Sequence, residues 1–217
     1  MKRSQTTIIA AAAGALAVVT GFVWNAVAEQ GSDQPVTTST LETAVFAGGC
    51  FWCVEADFDK IDGVVSTVSG YTGGTVDEPT YRQVTRGDTG HYEAVKVSYD
   101  PTRVSYEELV DYFFHTIDPT DPRGQFCDKG PSYRTAVFVS SPDERQIVES
   151  EIASIDDSGV LPGPVVTKVI DASTFWPAEA YHQDYYRTTP IKYRFYREGC
   201  GRDAKLEQLW GDEKAAH

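Results

Sequence analysis

The feature that most limits the fold of this chain is the junction at residues 44–58. Ala44-Val45-Phe46-Ala47 is a short apolar run that reads as a buried strand, and Gly48-Gly49 ends it. From Cys50 to about Ile61, the apolar residues Phe51, Val54 and Phe58 recur at spacings of three and four, the stripe of a helix. A strand that turns at two glycines straight into a helix leaves Cys50 in the first helical turn. Unpaired backbone N–H groups and the helix dipole favour a thiolate there. Cys50 is therefore a candidate nucleophile. Cys53 completes a Cys-x-x-Cys spacing, which shifts the weight towards redox chemistry.

The rest of the chain reads as an α+β domain around this junction. Val64–Tyr71 and Tyr92–Tyr99 alternate as strands do. Ser105 with Glu108 forms a capping box that opens a helix through His115. Arg134–Val139 is a fourth strand, Ser141-Pro142 starts a second capped helix, and Val165–Ile170 is a fifth strand. Pro177–Tyr186 has helical spacing, and the tail turns at Gly199-Cys200-Gly201. The order strand, helix, strand, strand, helix, strand predicts a two-layer α/β sandwich with a split βαβ (ferredoxin-like) core. Helices are expected against one face, with a long irregular C-terminal wrap.

Lys2 and Arg3 precede an uncharged apolar run from Ile8 to Trp24, and Ala26-Val27-Ala28 reads as a cleavage site. Residues 1–28 are expected to be a secretory signal peptide cleaved after Ala28, with an uncleaved membrane anchor as the competing reading. A polar linker, residues 29–42, then leads to a domain at 43–210 and a frayed tail at 211–217. The protein is expected to be exported, periplasmic or extracytoplasmic, where thiols tend to be oxidised. Its 19 basic and 32 acidic residues give a net charge of −13, which repels phosphate and argues against nucleic-acid binding. A hydrophobic share of 41% excludes a disordered chain.

Four cysteines in an exported chain leave a second reading open, two structural disulfides in a binding domain. A zinc site is weaker, because Cys127 and Cys200 stand apart from the Cys-x-x-Cys pair. His91 and His182 lack metal-ligand spacing and read as structural histidines, so no metal is expected.

Ala47-Gly48-Gly49-Cys50-Phe51-Trp52 with Val54-Glu55 resembles the active-site motif of the type A peptide methionine sulfoxide reductases. Tyr71-Thr72-Gly73-Gly74, Pro79-Thr80-Tyr81, Gly87–Val95, Tyr99-Asp100-Pro101, Tyr133–Ala136, Phe175–Glu179 and Tyr181-His182-Gln183 resemble that family's further blocks in order. The resemblance implies reduction of methionine S-sulfoxide, free or in oxidised proteins, by a monomer without a bound cofactor. It also implies that Glu93, Tyr81 and Tyr133 protonate or hydrogen-bond the sulfoxide oxygen and that Asp128 orients them. Phe51 and Trp52 supply an apolar wall for the methyl group. Attack by Cys50 would leave a sulfenic acid, resolved by a second thiol and recycled by a thioredoxin-like dithiol. Cys53 stands where the commonest family motif has glycine, so Cys200, Cys53 and Cys127 are all resolving candidates, with Cys200 first because glycines flank it. Taken on its residues alone, Glu93 reads as a surface carboxylate. The alternative function is thioredoxin-like thiol–disulfide exchange.

Overall fold

Alternating side chains divide the strands between two faces of one sheet. In β1 (Glu42–Gly48), Ala44 and Phe46 enter the main core, while Val45 and Ala47 point to the opposite face. The computed structural model describes residues 40–211; the expected signal peptide, most of the linker and the tail beyond Gly211 lie outside the described residues. The remaining elements are α1 (Phe51–Phe58), β2 (Val64–Thr72), α2 (Tyr81–Val84), β3 (Tyr92–Tyr99) and α3 (Tyr106–His115). They continue with β4 (Gly124–Gln125), β5 (Asp128–Lys129), β6 (Thr135–Val139), α4 (Pro142–Ser158), β7 (Lys168–Asp171) and β8 (Trp176–Pro177). Last come α5 (Tyr185–Thr188), α6 (Pro190–Gly199) and α7 (Arg202–Trp210).

Six strands form a mixed sheet in the order β7-β6-β1-β3-β2-β8. β1 lies antiparallel between β3 and β6, β2 is antiparallel to β3, and β7 runs parallel to β6. Helices α1, α3, α4 and α7 bury Phe58, Leu109, Phe113, Val148, Leu206 and Trp210 against one face. The opposite face carries a smaller cluster of Tyr92, Ala94, Ala136 and Phe138, against which Phe175 packs. The Ser105 side chain accepts the Glu108 N–H and opens α3, as its capping box predicts. Ser141 and Pro142 open α4 in the same way.

Two C-terminal expectations are corrected. Pro177–Tyr186 is not a helix: Gly70 pairs with Pro177, the Ala178 N–H bonds to the Ser69 carbonyl, and only a 3-10 turn at Ala180–His182 and the start of α5 are helical. Hydrogen bonds to β2 from the Gln183 side chain outweigh the local spacing. Nor is the C-terminal wrap irregular, since α6 and α7 occupy most of it, with Gly201 at φ +68° between them. The strand expected at Val165–Ile170 starts later, at Lys168. Among the described residues no helix is long and apolar enough to cross a membrane.

Candidate active site

Cys50 caps the N-terminus of α1, and its carbonyl accepts the N–H groups of Cys53 and Val54. The turn that delivers it needs glycine at 49. That residue sits at φ +85°, and an added Cβ would lie 2.5 Å from the Gln125 side chain. The Phe51 N–H, otherwise an orphan of the first helical turn, donates to Glu93 Oε2 at 3.1 Å. Glu93 projects from β3 on the helix-covered face and is 1% exposed, so its reading as a surface carboxylate is corrected. Its Oε1 has no hydrogen-bond partner. Burial first, and then the charge of Asp128, push Glu93 up to about 8, against the pull of the Phe51 N–H. Glu93 thus holds a proton at neutral pH.

A small cavity of about 50 Å³ is lined by Cys50, Phe51, Trp52, Tyr81, Glu93, Asp128, Tyr133 and Tyr196. Every catalytic candidate from the sequence meets here, together with Phe51 and Trp52. Tyr81 opens α2, and its N–H is anchored on Glu179 Oε1 at 2.9 Å. Burial pushes Tyr81 up to about 12 and Tyr133 higher, so both hydroxyls keep their protons and can donate. Asp128, in β5, accepts from the Tyr196 hydroxyl; burial raises its carboxyl above the ordinary range.

The apolar wall is built from stacked rings. Trp52 lies against Tyr185, with centroids 3.8 Å apart, and meets Tyr196 edge-on. Its Nε1–H donates to His182 Nδ1 at 3.0 Å, so His182 is a structural histidine that fixes the indole. Burial lowers the pKa of His182 and keeps the ring neutral, as this acceptor role requires. His91 is likewise engaged, with Nδ1 accepting from the Gly74 N–H. Phe51 is fully buried against Tyr71, Tyr81 and His182.

The four cysteines form two unlike pairs. Cys127 and Cys200 are joined by a disulfide, while Cys50 and Cys53 are free and buried. The reading of two structural disulfides is not met in this state. Burial, then Cys53 and Glu93, push the Cys50 thiol well up, and the Tyr196 hydroxyl pulls it down. Cys53 is lowered, first by its hydrogen bond with Cys50 and then, against the cost of burial, by the charges of Arg202 and Arg197. Those arginines come from the tail. Arg197 pairs with Asp57 at 2.8 Å, and Arg202 donates to the carbonyls of Gly48 and Thr116 beneath the turn.

Sequence reasoning did not single out Tyr196, Glu179, Arg197 or Arg202. Glu179 lies in a recognised block, but its bonds to Tyr71 and Tyr81 are tertiary. Tyr196 is one of twelve tyrosines, and its only local signal is its place four residues before Cys200.

Comparison with known proteins agrees with this geometry. The family model described as "Peptide methionine sulfoxide reductase" matches residues 42–214. The chain is similar to a peptide methionine sulfoxide reductase MsrA 2 of Rhizobium meliloti, 50% identical over 182 residues, covering 84% of this chain and 90% of that protein. It is 44% identical over 181 residues to an MsrA/MsrB protein of Vibrio cholerae, covering 83% of this chain but 48% of the relative, so it spans about half that protein's length. Among solved structures, the methionine sulfoxide reductase A of Corynebacterium diphtheriae is similar at TM-score 0.62 and 35% identity, covering 70% of this chain and 76% of that one. With a family model matched across nearly the whole described domain, this chain belongs to the peptide methionine sulfoxide reductase family.

Proposed function

We propose that the chain reduces methionine S-sulfoxide, free or in oxidised proteins, to methionine, with Cys50 as nucleophile. One observation carries the reading: Glu93, buried and pushed towards its protonated form, shares a small cavity with a cysteine, two tyrosine hydroxyls and an aromatic wall. The Cys50 thiolate attacks the sulfoxide sulfur while Glu93 delivers a proton to the departing oxygen, with Tyr81 and Tyr133 as further donors. The attack forms an S–S bond between Cys50 and the methionine sulfur. That bond then breaks as oxygen, passed across or returned as water, bonds to the Cys50 sulfur, so methionine leaves with the electron pair and Cys50 is left as a sulfenic acid. Phe51 and Trp52 hold the methyl group, and Asp128 orients the polar groups.

A second thiol then condenses with the sulfenic acid, releasing water and forming a disulfide. Cys53 takes this step in our reading, because it lies one helical turn from Cys50 with a depressed pKa, whereas Cys200 is bonded to Cys127. A thioredoxin-like dithiol restores the thiols, with no bound cofactor. We read β6-β1-β3-β2 with α1 and α3 as a split βαβ core, which the strand order and antiparallel pairings support. Export behind a signal peptide and a monomeric state belong to the same proposal.

The test is turnover of a methionine S-sulfoxide peptide with dithiothreitol, wild type beside Cys50→Ser. Methionine from the wild type alone, with two thiols lost per enzyme, supports the reading. Disulfide exchange without methionine would replace it with the thioredoxin-like alternative.

A further inference from the structure

Tyr196 reaches the cavity from α6, the element furthest along the chain that lines it. Its ring stands edge-on to Trp52 at 5.6 Å, and its hydroxyl bonds to the Asp128 carboxylate. Two devices hold it there. Arg197, the next residue, is 7% exposed and turns α6 inward through its bonds to Asp57 and Asp203. One turn on, the Cys200 N–H bonds to the Tyr196 carbonyl at 2.9 Å, and Cys200 is joined to Cys127, the neighbour of Asp128. The sulfur atoms of that pair and an Asp128 carboxylate oxygen lie within 4.8 Å of one another. A hydrogen bond and a covalent link thus tie together the same two segments beside the nucleophile.

We propose that Tyr196 is a further catalytic residue, its hydroxyl the donor that meets the Cys50 sulfur, and that the Cys127–Cys200 disulfide is the staple holding it in place. The proposal rests on the reading of Cys50 as the nucleophile. A phenol has one proton to give. With Cys50 neutral it goes to Asp128; when Cys50 ionises it turns to the thiolate. The titratable groups that act on Cys50 are Cys53, Glu93 and Tyr196, with Tyr81, Asp128 and Tyr133 around the same cavity. Cys53 and Glu93 oppose ionisation of Cys50, and Tyr196 favours it. Burial keeps the phenol itself protonated throughout the working range, so it remains a donor.

The test uses a Cys53→Ser chain with the Cys127–Cys200 bond intact, in which Cys50 is the one free thiol. Iodoacetamide alkylation is followed against pH. Adding Tyr196→Phe is expected to move the midpoint up by about one unit and to slow single-turnover methionine formation about tenfold at neutral pH. Tyr193→Phe, which removes a hydroxyl bonded to Arg197 on the same helix, should leave the midpoint in place. Cys127→Ala with Cys200→Ala should move it up by a smaller amount. An unmoved midpoint in a folded Tyr196→Phe chain overturns the proposal. If that chain does not fold, the double alanine chain decides, and an unmoved midpoint there overturns it. The titration needs no sulfoxide, so a chain that titrates as expected but makes no methionine refutes the functional reading and leaves the thiol assignment standing.

Discussion

Cys50 and Cys53 are 6% and 2% exposed and carry free thiols, whereas Cys127 lies exposed and is bonded to Cys200. The first pair opens a helix in the core; the second joins the turn between β4 and β5 to the end of α6. Burial therefore separates two tasks that one residue type can serve. In the interior, water is excluded from the reacting sulfur and a carboxylic acid keeps its proton. At the surface, a disulfide constrains the chain and is open to an external reductant. Burial raises the Cys50 thiol, so a specific donor such as Tyr196 matters to its ionisation.

The strongest way to break the interior half of this comparison is Glu93→Gln, which keeps the shape and removes the transferable proton. Single-turnover methionine formation should fall about 10²–10⁴-fold. In the wild type the rate should decline above about pH 8, as Glu93 loses its proton. Stability carries the same signature. Below 4.5, the ordinary value, folded and unfolded chains both hold this proton; between 4.5 and about 8 only the unfolded chain loses it. Wild-type stability should therefore drop as pH rises through that window, and Glu93→Gln should not share the loss, which melting curves at pH 5 and 8 would reveal.

Cys53→Ser sharpens the assignment of the resolving thiol. One methionine per enzyme should still form, while steady-state turnover with a protein dithiol stops and dithiothreitol restores part of it. Unchanged turnover would return the step to Cys200 or Cys127. The surface pair is probed by replacing both Cys127 and Cys200 with alanine. Losing a link that closes 73 residues of chain should cost about 2–4 kcal/mol in denaturant unfolding. Gly49→Ala carries the smallest expected effect, about 1–3 kcal/mol, from its positive φ and the contact with Gln125. Activity lost beyond that stability cost would place the turn itself among the elements that aim Cys50.

The interior pair was legible because its determinants are local. A short apolar run marks β1, two glycines mark the turn, and Phe51, Val54 and Phe58 mark α1. Glu93 was harder. On a strand its alternation fits a surface acid equally well, and only the packing of α1 over β3 buries it. The C-terminal cover was legible as family blocks but not as structure. Pro177 looks like a helix start, yet it pairs with Gly70, and Gln183 is held by the backbone of Ser69. α6 and α7 turn Arg197 and Arg202 inward, so a search for apolar stripes passes over them. Their partner Asp57 is buried on α1, where an acid in a charged stretch would ordinarily face solvent.

Those two arginines also bear on when the site can exist during synthesis. Arg197 meets Asp57 across 140 residues, and Arg202 reaches the Gly48 carbonyl across 154. A nascent chain that has emerged only as far as β7 holds Cys50, Glu93, Tyr81 and Tyr133, yet its helix floor contains a carboxylate with neither guanidinium beside it. The helix that carries the nucleophile is among the first elements made, and the arginines that meet its Asp57 are among the last. The floor beneath the reactive turn is thus complete only once the final helix has been made and can dock.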